Sequence, residues 1–362
     1  MVTRAHLETV LQAAGEHYAV LPLQGDASAL ITRRGGRVLG IFPTPDPENL
    51  LWTNDDAFAS PAHFEAFVKA GKWNLGGERL WIAPEIQYNV RDRRDFWGTL
   101  TVPPQMDPGE YQLTNGTRQE KHPFVALGSE LTLTAYNLSE GEQNIWLSRL
   151  YTAVNNPLHS IIQQESWLQD VVYCGYQQDV VLDGEQTNAY SEAWNLVQVI
   201  AGGQLLIPCA PLVEASDYFG SVPEEARQIH QGHVPHLRLS LTGKQQYKVG
   251  YKAFSMTGRM GYWRTLPDGR ESVLIRSFFN NPSNLYAEEP PDLPGVNGHS
   301  VHVYNDGGEF GGAQSFGEME CTGTTIRGDL RSTADDTFVM WVYVGEAQAI
   351  RRIIHLLLGV RL

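Results

Sequence analysis

Short runs that alternate apolar and polar residues, each closed by Gly, Asn, Asp or Pro, dominate this chain and limit what it can fold into. Leu131-Thr-Leu-Thr-Ala135, Leu237-Arg-Leu-Ser-Leu241 and Phe338-Val-Met-Trp-Val-Tyr-Val344 are examples. Period two sends successive side chains to opposite faces, so such runs pair as antiparallel sheets. Further strand candidates pass through Ile161, Val171, Trp194, Leu205, Tyr247, Val273, Val301 and Phe316 with no long helical pattern between them. Parallel winding needs a crossover helix after each strand and is not expected. With no fixed-period repeat and no compositional break to act as a linker, one all-β antiparallel β-sandwich over residues 1–362 with a few peripheral helices is expected.

Three helices carry sharp signals. Leu7, Val10, Leu11 and Ala14 recur at helical spacing within residues 1–16 and stop near Gly15. Ser60-Pro61 offers an N-cap and a first-turn proline before Phe64, Phe67 and Val68, with Gly71 as the stop. Ile350, Ile353, Ile354, Leu357 and Leu358 make one apolar stripe within residues 346–359, ending at Gly359, which is expected to pack on the body.

Composition narrows the partners. Subtracting 41 acidic from 27 basic residues gives −14, which repels phosphate backbones and anionic lipid. Neither nucleic acid nor membrane is therefore expected as a partner, and no apolar run approaches the ~20 residues that span a bilayer. Cys174, Cys209 and Cys321 are widely spaced and form no disulfide framework, so a cytoplasmic location is expected. Neither these cysteines nor His299-x-x-His302 supplies a metal-ligand set, and no nucleotide-binding glycine motif is present, so no metal and no cofactor are expected. Gly307-Gly308 and Gly311-Gly312 read as turns, and Arg91-Asp-Arg-Arg-Asp95 reads as a solvated rim.

Three strings could carry chemistry. In Gly76-Gly77-Glu78-Arg79-Leu80-Trp81-Ile82-Ala83-Pro84-Glu85, the glycines permit a turn or a close backbone approach. Beyond them Arg79 offers forked donors, Trp81 an apolar face for a sugar ring, and Glu85 a hydroxyl acceptor. The plain alternative is a buried Glu78–Arg79 pair beside a core tryptophan. In the second string, Glu192, Trp194, Leu196 and Gln198 share one strand face and Ser191, Ala193, Asn195 and Val197 the other. A polar residue among apolar ones on each face means either a lined cleft or a satisfied core group; the core reading fits Gln198 slightly better than Asn195, and Asn195 is taken as the binding candidate. The third string is Tyr304-Asn305-Asp306-Gly307-Gly308 followed by Phe316-Gly317-Glu318-Met319-Glu320-Cys321. Glu318 and Glu320 share a face about 7 Å apart, close enough for burial to raise one pKa toward a value useful in proton transfer. An exposed strand face is the alternative.

Together these strings resemble the galactose mutarotase-like superfamily, in particular an uncharacterised bacterial group with a GGE-R-W-PE segment, and the likeness runs from about Leu21 to Gly345. The resemblance implies an antiparallel super-β-sandwich whose concave face holds a small-molecule carbohydrate, and an aldose 1-epimerase-like activity with Glu320 or Glu318 as base. The alternative on the same fold is a non-catalytic carbohydrate-binding protein. Where aldose 1-epimerases of this superfamily carry a histidine that protonates the ring oxygen, Ser191 stands here, and a serine hydroxyl cannot replace imidazole as an acid near neutrality. His302, Lys248 and His122 are the other donors in view. Lys248, His302 and Asn305 join Arg79, Trp81, Glu85 and Asn195 as expected substrate-binding residues.

Overall fold

The computed structural model describes residues 2–44, 48–118, 122–160, 166–184, 188–308, 314–328 and 331–362. Ile161, Gly311 and Gly312 lie outside them.

Two antiparallel sheets face each other. The first has nine strands: β1 (Tyr18–Pro22), β2 (Ser28–Thr32), β3 (Arg37–Phe42), β4 (Glu78–Ala83), β9 (Glu192–Ile200), β11 (Ala215–Gly220), β14 (Tyr247–Lys252), β17 (His299–Asn305) and β18 (Phe316–Thr322). The second has ten: β5 (Gln112–Arg118), β6 (His122–Ala135), β7 (Gly141–Ala153), β8 (Val172–Gly184), β10 (Gly203–Pro208), β12 (Ile229–His230), β13 (His236–Leu241), β15 (Arg259–Thr265), β16 (Glu271–Phe278) and β19 (Thr333–Gly345). The first runs β1-β2-β3-β4-β9-β18-β17-β14-β11 across its width, and the second runs β12-β13-β10-β15-β16-β19-β8-β7-β6-β5. The antiparallel sandwich expected from period-two alternation is what forms, and Val171 proves to sit just before its strand.

The two sheets use alternation differently. In β6, Leu131, Leu133 and Ala135 are buried while Thr132 and Thr134 face solvent, as in a sheet with one wet face. By contrast β4, β9, β17 and β18 are buried along their whole length. Their inner residues, among them Leu80, Val197, Met319 and Val303, pack into the core between the sheets. Their outer residues are polar and aromatic, covered by connecting segments instead of a third layer.

Helices close the exposed apolar ground. α1 (Arg4–Ala13) is capped by Thr3, and α2 (Pro61–Lys69) by Ser60 with Pro61 in its first turn. Both lay their apolar stripes on Leu30, Leu39 and Phe42, the outer face of β2 and β3. Two single turns, α3 (Glu85–Tyr88) and α4 (Phe96–Thr99), were not legible from periodicity and lie in the segment after β4. α5 (Ala347–Leu358) ends at Gly359 in the left-handed conformation, φ 73°. Its Ile350, Ile353, Ile354, Leu357 and Leu358 cover Leu206, Val273, Ile275 and Tyr343 on the outer face of the second sheet. Each such buried side chain contributes roughly 1.5–3 kcal/mol relative to exposure. Among the described residues no helix is long and apolar enough to cross a membrane.

Candidate functional site

Over β4, β9, β18, β17 and β14 the outer face of the first sheet lies beyond the cover of α1 and α2, and a cavity of about 240 Å³ opens there. Its position starts with Gly76 and Gly77. Their φ values are 98° and 79°, and a Cβ on either would stand 2.4 Å from the carbonyl oxygen of Trp52 or Val38. Only glycine lets the chain pass here, and the passage sets the phase of β4. Arg79 and Trp81 then point outward into the cavity, while Glu78 points inward to an ion pair with Arg276 at 2.6 Å. Glu78 and Arg79 are therefore not each other's partner.

Register brings the rest together. Glu318 stands opposite Gln198 on one side and Tyr304 on the other; Glu320 stands opposite Leu196 and His302. Lys248 stands opposite Tyr304, and Arg79 opposite Leu196. Residues directly paired across strands share a face, so these side chains form one polar field.

Two ion pairs organise that field. Arg79 Nη1 and Gln198 Nε2 both donate to Glu318 Oε1 at 2.8 Å. The Arg79 guanidinium lies 4.3 Å from the Trp81 ring centroid and 5.5 Å from that of Trp73, and Trp81 Nε1 donates to the buried Asp107 at 3.0 Å. On the other side Lys248 Nζ donates to Glu85 Oε2 at 3.0 Å and sits 3.7 Å from Glu320 Oε2, which also accepts from Trp194 Nε1 at 3.1 Å. The ammonium lies 4.3 Å from the Trp194 ring centroid. Among the described residues, Glu318 Oε2 and Glu320 Oε1 receive no hydrogen bond, and neither is sealed from solvent. Two carboxyl oxygens are thus presented to the cavity from one strand.

Burial raises two carboxyls here, Glu320 and Glu288. It pushes Glu320 up to about 8; the Lys248 charge works against that, and Glu318 and Glu85 add to it. A fourth carboxyl, Glu288, takes the Glu85 backbone N–H and is also pushed up to about 8, first by burial and then by the Glu85 charge. Burial opposes the Lys248 charge, but Glu320, Glu85 and Glu288 outweigh it and hold the ammonium above the ordinary lysine range.

Connecting segments wall the cavity. Trp73 and Asn74 precede the glycine pair, and Trp97, Leu100 and Val102 come from α4 and the strand-free chain after it. Trp97 is 58% exposed and stands edge-on to Phe219 of β11, ring centroids 5.0 Å apart. Arg93 fixes this wall: its guanidinium bonds Glu289 at 2.5 Å and the carbonyl oxygens of Pro290 and Pro291. That arginine is thus a clamp between two segments and not part of a solvated rim.

Arg79, Trp81, Glu85, Lys248, Glu318 and Glu320 all line the cavity. Trp81 differs from the expectation in its surroundings, since Arg79 covers one of its faces. Asn195 is on the inner face of β9, where it donates to Glu78 at 2.7 Å and Gln178 at 3.0 Å, so it is a core residue. Gln198 takes the place at the cavity that had been expected for Asn195. Asn305 also points inward; it accepts from Gly243 N at 3.0 Å and donates to Gln245 O at 2.7 Å, holding a loop. His302 is on the outer face but sealed beneath Tyr218, 4.8 Å between ring centroids, with both ring nitrogens unbonded among the described residues. Ser191 bonds Tyr88 at 2.7 Å away from the cavity, and His122 is exposed at the start of β6 in the other sheet.

Trp73, Trp97, Phe219, Gln246 and Glu288 escaped sequence reasoning; the abundance of tryptophan was the one signal pointing to some of them. Among the described residues no three His, Cys, Asp or Glu side chains converge as metal ligands.

No protein-family model and no curated protein matches the chain. Among solved structures, a galactose mutarotase-like protein from Lactobacillus casei is similar, with 11% identity, a TM-score of 0.46, and coverage of 90% of this chain and 100% of that one. A galactose mutarotase-like protein from Clostridium acetobutylicum has 10% identity and a TM-score of 0.43 over 88% of this chain and 93% of that one. Galactose 1-epimerase from Lactobacillus acidophilus has 10% identity and a TM-score of 0.39 over 91% of this chain and 95% of that one.

Proposed function

We propose that the cavity binds a single sugar ring and interconverts its anomers, with Glu318 as general base and Glu320 as general acid. The observation that carries this reading is the pair of accessible carboxyl oxygens on one strand face in opposed surroundings, one ion-paired with Arg79 and one pushed up to about 8 by burial. Glu318 Oε2 removes the proton from the anomeric hydroxyl while Glu320 Oε1 delivers its proton to the ring oxygen. The bond from C1 to the ring oxygen breaks and the C1 carbonyl forms. Rotation about C1–C2 and the reverse transfers close the ring on the other face and restore both carboxyl groups. A volume of about 240 Å³ is small for a ligand site and suits one ring, not an oligosaccharide. Exchange NMR on a panel of neutral aldoses tests the reading. Anomer exchange is expected to accelerate with the protein and to return to the buffer rate in Glu318→Gln; buffer rates throughout the panel overturn it.

One observation favours a second reading, non-catalytic carbohydrate binding: no imidazole lines the cavity among the described residues. In that case sugars raise Tm while anomer exchange stays at the buffer rate.

A further inference from the structure

A second cavity of about 350 Å³ opens at one end of the space between the sheets, and it contains an arginine that no direct ion pair reaches among the described residues, although the Glu48 charge acts on it from the same lining. Arg264 stands opposite Ser272, which stands opposite Val344, which stands opposite Val172. This cross-strand row puts the guanidinium on the same face as Val344 and Val172, and both valines line the cavity with it. Arg264 is only 9% exposed. Its Nε and Nη2 are sealed and unbonded, and no ion pair reaches it among the described residues; Nη1 is the nitrogen left accessible. A buried guanidinium without a bonded partner is costly, and the Glu48 charge offsets that only at a distance, which leaves room for an anion bonded directly to Nη1.

The surroundings narrow what that anion is. Pro43, Leu50, Val172, Leu266 and Val344 give the cavity apolar walls. Arg270, also in the lining, is already paired with Asp268 at 2.8 Å and adds no free charge. Asp268 is neutralised by the same pair, which leaves Glu48 as the acidic side chain of the lining that opposes a second negative charge. We propose that this cavity binds a small monoanionic carboxylic acid, its carboxylate on Arg264 and its apolar body against Leu50, Val172 and Val344. A dianionic phosphate meets the Glu48 carboxylate with a second charge and lacks the apolar body, so the same geometry disfavours it.

Benzoate is a suitable probe, with benzamide as its uncharged shape match and inorganic phosphate as the dianion, each followed by calorimetric titration and thermal unfolding. Benzoate is expected to raise Tm with concentration and to bind roughly tenfold or more tightly than benzamide, the worth of one charge-assisted hydrogen bond. Arg264→Met is expected to abolish that preference, because the donor that distinguishes carboxylate from amide is gone. Val344→Trp, which fills the cavity and keeps the arginine, is expected to abolish benzoate binding as well. Equal binding of benzamide, tighter binding of phosphate, or a benzoate response that survives Arg264→Met or Val344→Trp overturns the proposal. The comparison of benzoate with benzamide on the unaltered protein decides it even where a variant fails to fold.

Discussion

Glu318 and Glu320 leave the same face of β18 two residues apart yet enter opposite electrical surroundings. Glu318 Oε1 is saturated by Arg79 and Gln198, each at 2.8 Å, whereas Glu320 has one indole donor at 3.1 Å and an ammonium at 3.7 Å that it shares with Glu85. Here the sheet register assigns each a different neighbour: a guanidinium and an amide hold Glu318, while burial pushes Glu320 up to about 8.

If Glu318 removes a proton and Glu320 supplies one, each should be needed, and each should fail in its own way. Glu318→Gln is expected to lower kcat for anomer exchange by about 10²–10⁴-fold at every pH. Glu320 acts in its protonated form, so the unaltered protein should lose activity as pH rises through about 8. Glu320→Gln is expected to lower kcat and to remove that alkaline limb from the residual rate. A pH profile of exchange rates for the three proteins checks this.

Stability should respond to the same groups. Glu320 and Glu288 are pushed up to about 8, and Glu192, buried against Thr325 and the Ala287 backbone, to about 7. A carboxyl whose folded pKa is raised binds its proton more tightly in the folded state, and the stability this gives is lost as pH rises through the folded value. His299 acts in the other direction: burial lowers it to about 4, so it costs stability only below its ordinary value near 6.5. Between pH 6.5 and 8 the carboxyls act without that opposition, and Tm is expected to fall across this window. Glu320→Gln should flatten the slope; an unchanged slope would show that Glu320 is already ionised at neutral pH.

The parts of this arrangement visible in the sequence are those that depend on spacing within one element. Period two correctly put Glu318 with Glu320 and Gln198 with Trp194, and Ser60-Pro61 and Gly359 marked helix ends because caps are local chemistry. Alternation could not say which face of β9 looks outward, since both carry a polar residue among apolar ones, and so Asn195 and Gln198 were exchanged. Nor could it show that Lys248 would meet Glu85, 163 positions away in sequence, or that Arg93 would clamp Glu289. Trp97 and Phe219 come from segments whose positions follow from tertiary closure, which no local pattern encodes.

Lys248 is the cation that acts on Glu288 and, more strongly than Arg79, on Glu320, and it is bonded to Glu85, so its removal should be felt in folding before it is felt in chemistry. Lys248→Met keeps the side-chain volume near the Trp194 ring but leaves buried carboxyls without their counter-charge. A loss of about 3–5 kcal/mol is expected from breaking a buried pair in this way. Urea unfolding at pH 7.5 measures it, and repeating the experiment at pH 5.5 should recover part of the loss, because the raised carboxyls are then protonated.

Ligand charge should discriminate at the cavity. Arg79 is bonded to Glu318 and Lys248 to Glu85, so both cations in the lining are spent on internal carboxylates, while Glu85, Glu318 and Glu320 all face the ligand. A phosphate or carboxylate on the sugar would have to displace one of these pairs and then sit among the released acids. A neutral hexose is therefore expected to bind more tightly than its 6-phosphate or its uronic acid. The exposed Trp97 ring, held edge-on to Phe219 at the mouth, should contribute a stacking face to the neutral ligand. Trp97→Ala is expected to weaken hexose binding while leaving Tm almost unchanged, because 58% of that side chain already lies in water. Titration calorimetry with the three sugars on both proteins checks the order; a preference for the phosphate would mean that Arg79 or Lys248 leaves its carboxylate on binding.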